Sequence, residues 1–176
     1  WPYLTTELYI RQTGDVKLLE EKVPFFKDAQ IYRGEQYDDE WTEEQGCWLL
    51  TKQGVRYEAS ILEHLLVQHL TSFYDVGEHG EIRLRGADWN DAIDMASKRG
   101  ESVAFTAAYA GNLWNLAELL IAYEKRTGQQ ECSILKELFL LLPEDTTIYD
   151  DIQGKKTLLK EFFATTAHQV SGEKET

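Results

Sequence analysis

Positive charge is scarce in this chain: 18 Lys and Arg stand against 31 Asp and Glu, for a formal net charge of −13. A surface this acidic repels nucleic acid and anionic lipid, which excludes both as expected partners. A neutral ligand escapes that repulsion, whereas an anionic one needs a local positive pocket. Cysteine is also nearly absent. Cys47 and Cys132 make neither a CxxC pair nor a disulfide framework, so reduced thiols in a cytoplasmic setting are expected. His64, His69, His79 and His168 show no HExxH or comparable spacing, so no metal site is expected. The longest uncharged run is shorter than the ~18–20 residues a membrane span needs. Residues 1–20 have no basic start followed by an apolar core, so no leader is expected there.

What is present is ordinary for a globular chain: 176 residues, 43% hydrophobic and 28% charged. The chain opens on "WPYL" and stops at "SGEKET". Residues 1–176 therefore read as a fragment of a single catalytic domain cut from a longer protein. The periodicity predicts about six helices. Residues 3–13 place Leu4, Leu8 and Ile10 on one side, and Gly14 stops that helix. Asp15 then caps a short helix to Lys22, with Pro24 beyond it. Residues 27–56, punctuated by Gly34, Gly46 and Gly54, read as an irregular excursion or small hairpin.

A helical stripe returns over 58–74, with Leu62, Leu65 and Leu70 among its apolar positions. A turn and an extended stretch at 81–84 follow. From Ser102 to Ala117 no residue is charged and many are small, which predicts a helix over 102–126 that is enclosed nearly all round. Further helices are expected near 132–142 and 155–169. Paired helices, one of them buried, suggest an inner and an outer layer. The expected fold class is all-α, as an incomplete part of an (α/α)6 toroid.

Residues 85–102, "RGADWNDAIDMASKRGES", crowd Asp88, Asp91, Asp94 and Glu101 around Trp89 and Asn90. A structural account is available. Asp88 is suited to be an N-cap, Asp91 to be its capping-box partner, and Asp94 to favour the positive end of a short helix. A calcium loop does not fit, because Ala92 stands where an oxygen ligand is needed. Sugar chemistry offers the alternative. Glycosidic cleavage needs a protonated carboxyl aimed at the leaving oxygen, with an apolar wall that raises its pKa. Trp89 beside Asp91 supplies such a wall, and Asp88 and Asn90 supply hydrogen bonds for hydroxyls. For a second carboxylate the candidates are Asp94, which a helical turn would send away from Asp91, and Glu101.

The stretch "GADWNDAIDM…RGESVAF" resembles the DWND motif and downstream GES of the inverting glycoside phosphorylases of glycoside hydrolase family ninety-four. "TGD…L…E.VPF" in residues 13–26, "SILEHLL", "GEHG" and "HQVSGEK" look like further family stretches, in the same order. Ala87 and Ala92 stand where the family often has glycine. The wording of the motif looks most like the 1,2-β-oligoglucan branch.

The resemblance implies that Asp91 is the general acid and that Trp89, Asp88 and Asn90 contact sugar. It implies reversible phosphorolysis of a β-linked glucose oligosaccharide, with inorganic phosphate as co-substrate, no other cofactor, and inversion to α-glucose 1-phosphate. Phosphate itself is then the nucleophile, so no second carboxylate is required. By the same resemblance, the phosphate-binding donors and the sugar-binding arginine and aspartate lie outside residues 1–176. The fragment alone is then expected to be inactive, and a homodimer is one assembly open to the full-length protein. Two rivals remain: an inverting hydrolase on the same fold, with a second carboxylate roughly 6.5–9.5 Å from Asp91, and a non-enzymatic helical scaffold.

Overall fold

The computed structural model of the chain describes residues 1–85 and 96–176. Helix α1 (Pro2–Thr13) has proline in its first turn, where a missing N–H costs nothing, and ends on Gly14 in the left-handed conformation (φ 75°). Helix α2 (Ile61–Tyr74) is capped by Ser60, whose hydroxyl accepts the Glu63 N–H. Helix α3 (Val103–Thr127) is capped by Ser102 and closed by Gly128, with Lys125 and Arg126 at its negative end. Helix α4 (Ile152–Thr166) is capped by Asp151.

Among the described residues, the backbone between the helices pairs in four two-stranded antiparallel sheets. Strand β1 (Lys22–Pro24) pairs with β4 (Glu58–Ser60), and β2 (Gln30–Ile31) with β3 (Gln36–Tyr37). Strand β5 (Ile82–Arg83) pairs with β6 (Glu101–Ser102), and β7 (Ile134–Leu135) with β8 (Lys174–Glu175).

These ladders overturn the all-α expectation and, with it, the expected piece of an (α/α)6 toroid. The described residues are mixed α/β, 53% helical with 15% in strands and bridges. The reason for the error is physical. Strands of two or three residues are too short to show a period-two alternation, and, apart from β2 and β3, their partners lie well away in sequence. Glu58–Ser60, expected as the first turn of a helix, is extended because it pairs with β1. The segments expected as helices at 15–22 and 132–142 contain 3₁₀ turns, Val16–Glu20 and Lys136–Leu141. Each is too short to repay α-helix nucleation.

Helix α2 lies between two apolar clusters. Its first half, with Leu62 and Leu65, packs with Tyr3, Ile10, Leu19 and Leu116. Its second half, with Leu70 and Tyr74, packs with Leu138, Leu141, Leu159 and Phe162. Burying each such side chain contributes about 1.5–3 kcal/mol. Helix α1 presents Tyr3 and Ile10 to the core, while Leu4 and Leu8, which the periodicity grouped on one side, are exposed.

Helix α3 departs further from expectation. Its buried residues are Leu116 and Tyr123, whereas Val103 is 70% and Trp114 72% exposed. Helices α1 and α2 cover one side of α3, and its small residues Ala104, Ala107 and Gly111 lie on the open side. Among the described residues, no helix is long and apolar enough to cross a membrane.

Candidate functional site

Asp88, Trp89, Asn90, Asp91 and Asp94 lie outside the described residues. What the structure describes is the frame that carries them. Residues 84 and 100, on either side of the motif segment, lie next to each other. Strands β5 and β6 pair beside them, with Ile82 opposite Ser102 and Arg83 opposite Glu101. The Leu84 N–H donates to the Gly100 carbonyl at 2.9 Å, which extends the ladder by one step. The Ile82 N–H donates to Thr106 Oγ1 at 2.9 Å, which ties the same ladder to the first turn of α3.

Glu101 clamps this ladder. Its carboxylate accepts the backbone N–H groups of Glu78 (2.9 Å), His79 (3.1 Å) and Glu81 (3.0 Å), and the His79 ring nitrogen Nδ1 lies at 2.9 Å. The carboxylate is 10% exposed. Burial opposes its ionisation, but the His79 ring and the three N–H groups outweigh that and hold its pKa below the ordinary carboxylate value. His79, in turn, is raised by its bond to Glu101. Gly77 is required here, because a Cβ on it would overlap the Glu101 side chain. Glu101 was one sequence candidate for a second catalytic carboxylate. With its oxygens committed to these donors, it acts as a clamp for the loop instead.

A second group of charges sits where the motif segment begins. Asp75, 3% exposed, follows the last turn of α2. Arg85 grips it with two parallel bonds, Nε to Oδ2 and Nη2 to Oδ1, both 2.7 Å. Arg33 Nε lies 3.4 Å from Oδ2 and Arg83 Nη1 3.9 Å from Oδ1. The Asp75 carbonyl also accepts the Arg83 N–H at 2.9 Å. Arg33 reaches Ser72 Oγ at 3.3 Å, so the group is anchored on α2. Glu35 closes the outer side, pairing with Arg85 Nη1 and lying 3.3 Å from Arg83 Nη2.

Burial lowers the pKa of Arg33 against the pull of Asp75. For Arg85, burial also lowers it, but the hydrogen bond and charge of Asp75 more than reverse the effect. Both stay charged at neutral pH, as guanidinium does. Tyr32 (φ 52°), Arg33 (φ 59°) and Arg85 (φ 56°) hold left-handed backbone, and among the described residues they are the non-glycines that do so. Each such residue costs on the order of 1 kcal/mol, which the surrounding contacts must offset.

Sequence reasoning missed this cluster. Arg33 lies far from Arg83 and Arg85 in the chain, and of the three only Arg85, at the edge of the stretch 85–102, adjoins a motif. The one usable signal was an unexpected concentration of arginine in "IRLRG" within an acidic chain.

Other polar clusters lie elsewhere. Asp38, 5% exposed, holds Lys27 Nζ at 2.8 Å and His168 Nδ1 at 2.6 Å beside a cavity of about 100 Å³ that Trp48 and Gln45 also line. Glu63, fully buried, accepts Tyr57 Oη (2.5 Å), Lys174 Nζ (2.5 Å) and the Leu135 N–H (3.2 Å). Burial, and then the bond to Glu63, push the Tyr57 hydroxyl up. Among the described residues, no group of three or more His, Cys, Asp or Glu is arranged to hold a metal ion.

No protein-family model matches the chain. The chain is similar to the solabiose phosphorylase of Paenibacillus borealis, with 26% identity over 121 residues. That stretch covers 68% of this chain and 12% of the relative, so the chain spans a small part of that protein's length. The likeness is distant.

Proposed function

We propose that the chain is part of an inverting glycoside phosphorylase that acts on β-linked glucose oligosaccharides, 1,2-β-oligoglucans among them. The observation that carries this reading is the "DWND" sequence, flanked by the β5–β6 ladder and the Glu101 clamp, in a chain with distant likeness to a phosphorylase. In the proposed reaction, an oxygen of inorganic phosphate attacks the anomeric carbon. The glycosidic C–O bond breaks, and Asp91 gives its proton to the departing oxygen. The products are a sugar 1-phosphate of inverted configuration and an oligosaccharide one unit shorter. Asp91 is left as carboxylate and regains a proton from solvent.

Trp89 is proposed to pack its face against a pyranose ring, and Asp88 and Asn90 to bond its hydroxyls. The clamp supports this reading, because a general acid must keep its geometry within about 1 Å to remain effective. The decisive measurement is phosphate-dependent release of sugar 1-phosphate from β-glucans by the full-length protein. General acid catalysis is worth about 10²–10⁴-fold. Asp91→Asn should lose at least ~100-fold, with Asp94→Asn nearly silent. Substantial turnover by Asp91→Asn refutes the assignment, and turnover that needs no phosphate makes the protein a hydrolase.

A further inference from the structure

We propose that the cavity beside Asp38 is a second saccharide-binding site, made by residues 27–48 and 168–169 apart from the motif segment, and that it takes the hydroxylated edge of one sugar residue. The side chains of Asp38 and Lys27 line it and are 3% and 10% exposed. Lys27 Nζ lies 2.8 Å from Asp38 Oδ2 and donates to the Asp28 carbonyl at 2.6 Å. An ammonium group has three donors, so one remains. Asp38 Oδ1 accepts the Glu40 N–H at 3.0 Å and lies 2.6 Å from His168 Nδ1. The other ring nitrogen of His168 is left for a ligand. This triad is held in place before anything binds, which keeps the ordering cost of binding low.

Around the triad stand groups with no partner of their own. Glu40 and Gln169 line the same cavity, and among the described residues the Glu40 carboxylate and the Gln169 amide make no hydrogen bond or ion pair. The Leu50 carbonyl accepts the Val170 N–H at 3.1 Å, and the Lys52 N–H donates to the Val170 carbonyl at 2.9 Å, so the backbone at Gln169 is held against the excursion. Trp48 also lines the cavity and is 44% exposed. The Arg56 guanidinium lies over its ring, 5.4 Å from the centroid, and restrains the indole.

The mixture of groups selects the ligand. A carboxylate accepts, an ammonium group donates, and an amide does both. Adjacent sugar hydroxyls, which donate and accept in turn, satisfy such a set. A free anion would meet Asp38 and Glu40, and a free cation would meet Lys27. A neutral ligand also escapes the −13 charge of the chain. The cavity holds about 100 Å³, the share of about three waters at roughly 30 Å³ each. That admits the hydroxyls along one edge of a pyranose and leaves an apolar ring face to pack on Trp48. The choice of sugar as ligand rests on the carbohydrate-active reading above; the position of the site does not.

The test is calorimetric titration of the full-length protein with a 1,2-β-linked glucose trisaccharide, in an Asp91→Asn background so that no turnover intervenes. Trp48→Ala removes the aromatic wall and should weaken binding at this site by at least ~10-fold. Gln169→Ala, at an exposed position, should weaken it by about 3- to 5-fold. Denaturation midpoints check that both variants fold, and Gln169→Ala decides alone if Trp48→Ala does not. A binding class that responds to the substitutions establishes the site, whether or not the motif contributes a second class. Isotherms that ignore them, or no binding of the trisaccharide, overturn it. The two readings fail separately. If the wild type releases no sugar 1-phosphate yet trisaccharide binding responds to Trp48 and Gln169, the phosphorolytic reading falls and the site stands. If it turns over and binding ignores both residues, the site falls alone.

Discussion

Glu101→Gln isolates the clamp beneath the motif. The substitution keeps the shape of the side chain but replaces one acceptor oxygen by an NH₂ group. That group then faces backbone N–H donors at Glu78, His79 and Glu81, which now face donors or a neutral carbonyl instead of a carboxylate. A hydrogen bond to a charged group is worth about 1.5–3 kcal/mol. Two or three such bonds would sum to about twice that, but Glu78 and His79 are exposed and their N–H groups regain water. The net loss should therefore be about 2–3 kcal/mol. Urea denaturation of the full-length protein at pH 7 measures it, and hydrogen exchange at residues 78, 79 and 81 should quicken with it. The pH dependence has a definite sign. Glu101 titrates below its ordinary 4.5, so its contribution is complete above that value and is lost as pH falls through the depressed one. The gap between wild type and Glu101→Gln should shrink on acidification. His79 is raised above its ordinary 6.5, so what it adds is full below that value and fades as pH rises through the raised one. A loss under 0.5 kcal/mol at pH 7, with unchanged exchange, would refute the clamp.

Gly77→Ala should also destabilise, by about 1–3 kcal/mol, because the new Cβ meets the Glu101 side chain. Combining it with Glu101→Ala should cost less than the sum of the two, since the clash disappears, and a double-mutant cycle in denaturant checks this. Glu63→Ala strands the Tyr57 hydroxyl and the Leu135 N–H in the interior. Breaking a buried pair costs about 3–5 kcal/mol. Lys174 is 31% exposed and can turn to water, so the low end is expected, read from the shift of the denaturation midpoint. Asp91→Asn remains the test of activity, with unchanged denaturation as its control.

Local chemistry was enough to mark the ends of the long helices. Gly14 and Gly128 stop two of them because only glycine takes left-handed backbone without strain, and Ser102 caps α3 through its own hydroxyl. The extended stretch at 81–84, which contains β5, was legible for a similar reason, since it follows a glycine-rich turn. The candidate acid was legible as a motif, because Trp, Asn and two Asp lie side by side in the chain. Its frame was not. Glu101 is joined to residues 78–81 across more than twenty positions, and its role depends on N–H groups that carry no side-chain signature.

The same limit hid the small sheets. A two-residue strand is defined by its partner, and β7 and β8 lie some forty residues apart. It also misjudged α3, since an uncharged run shows what a helix would tolerate around it, while its neighbours decide what is buried. Val16–Glu20 and Lys136–Leu141 lie in segments whose sequences suit an α-helix, and in the folded chain both are 3₁₀ turns next to the short strands β1 and β7. The arginine cluster is the extreme case. Arg33, Arg83 and Arg85 come from two distant segments, and only the fold of the chain around the end of α2 brings three like charges onto one buried aspartate.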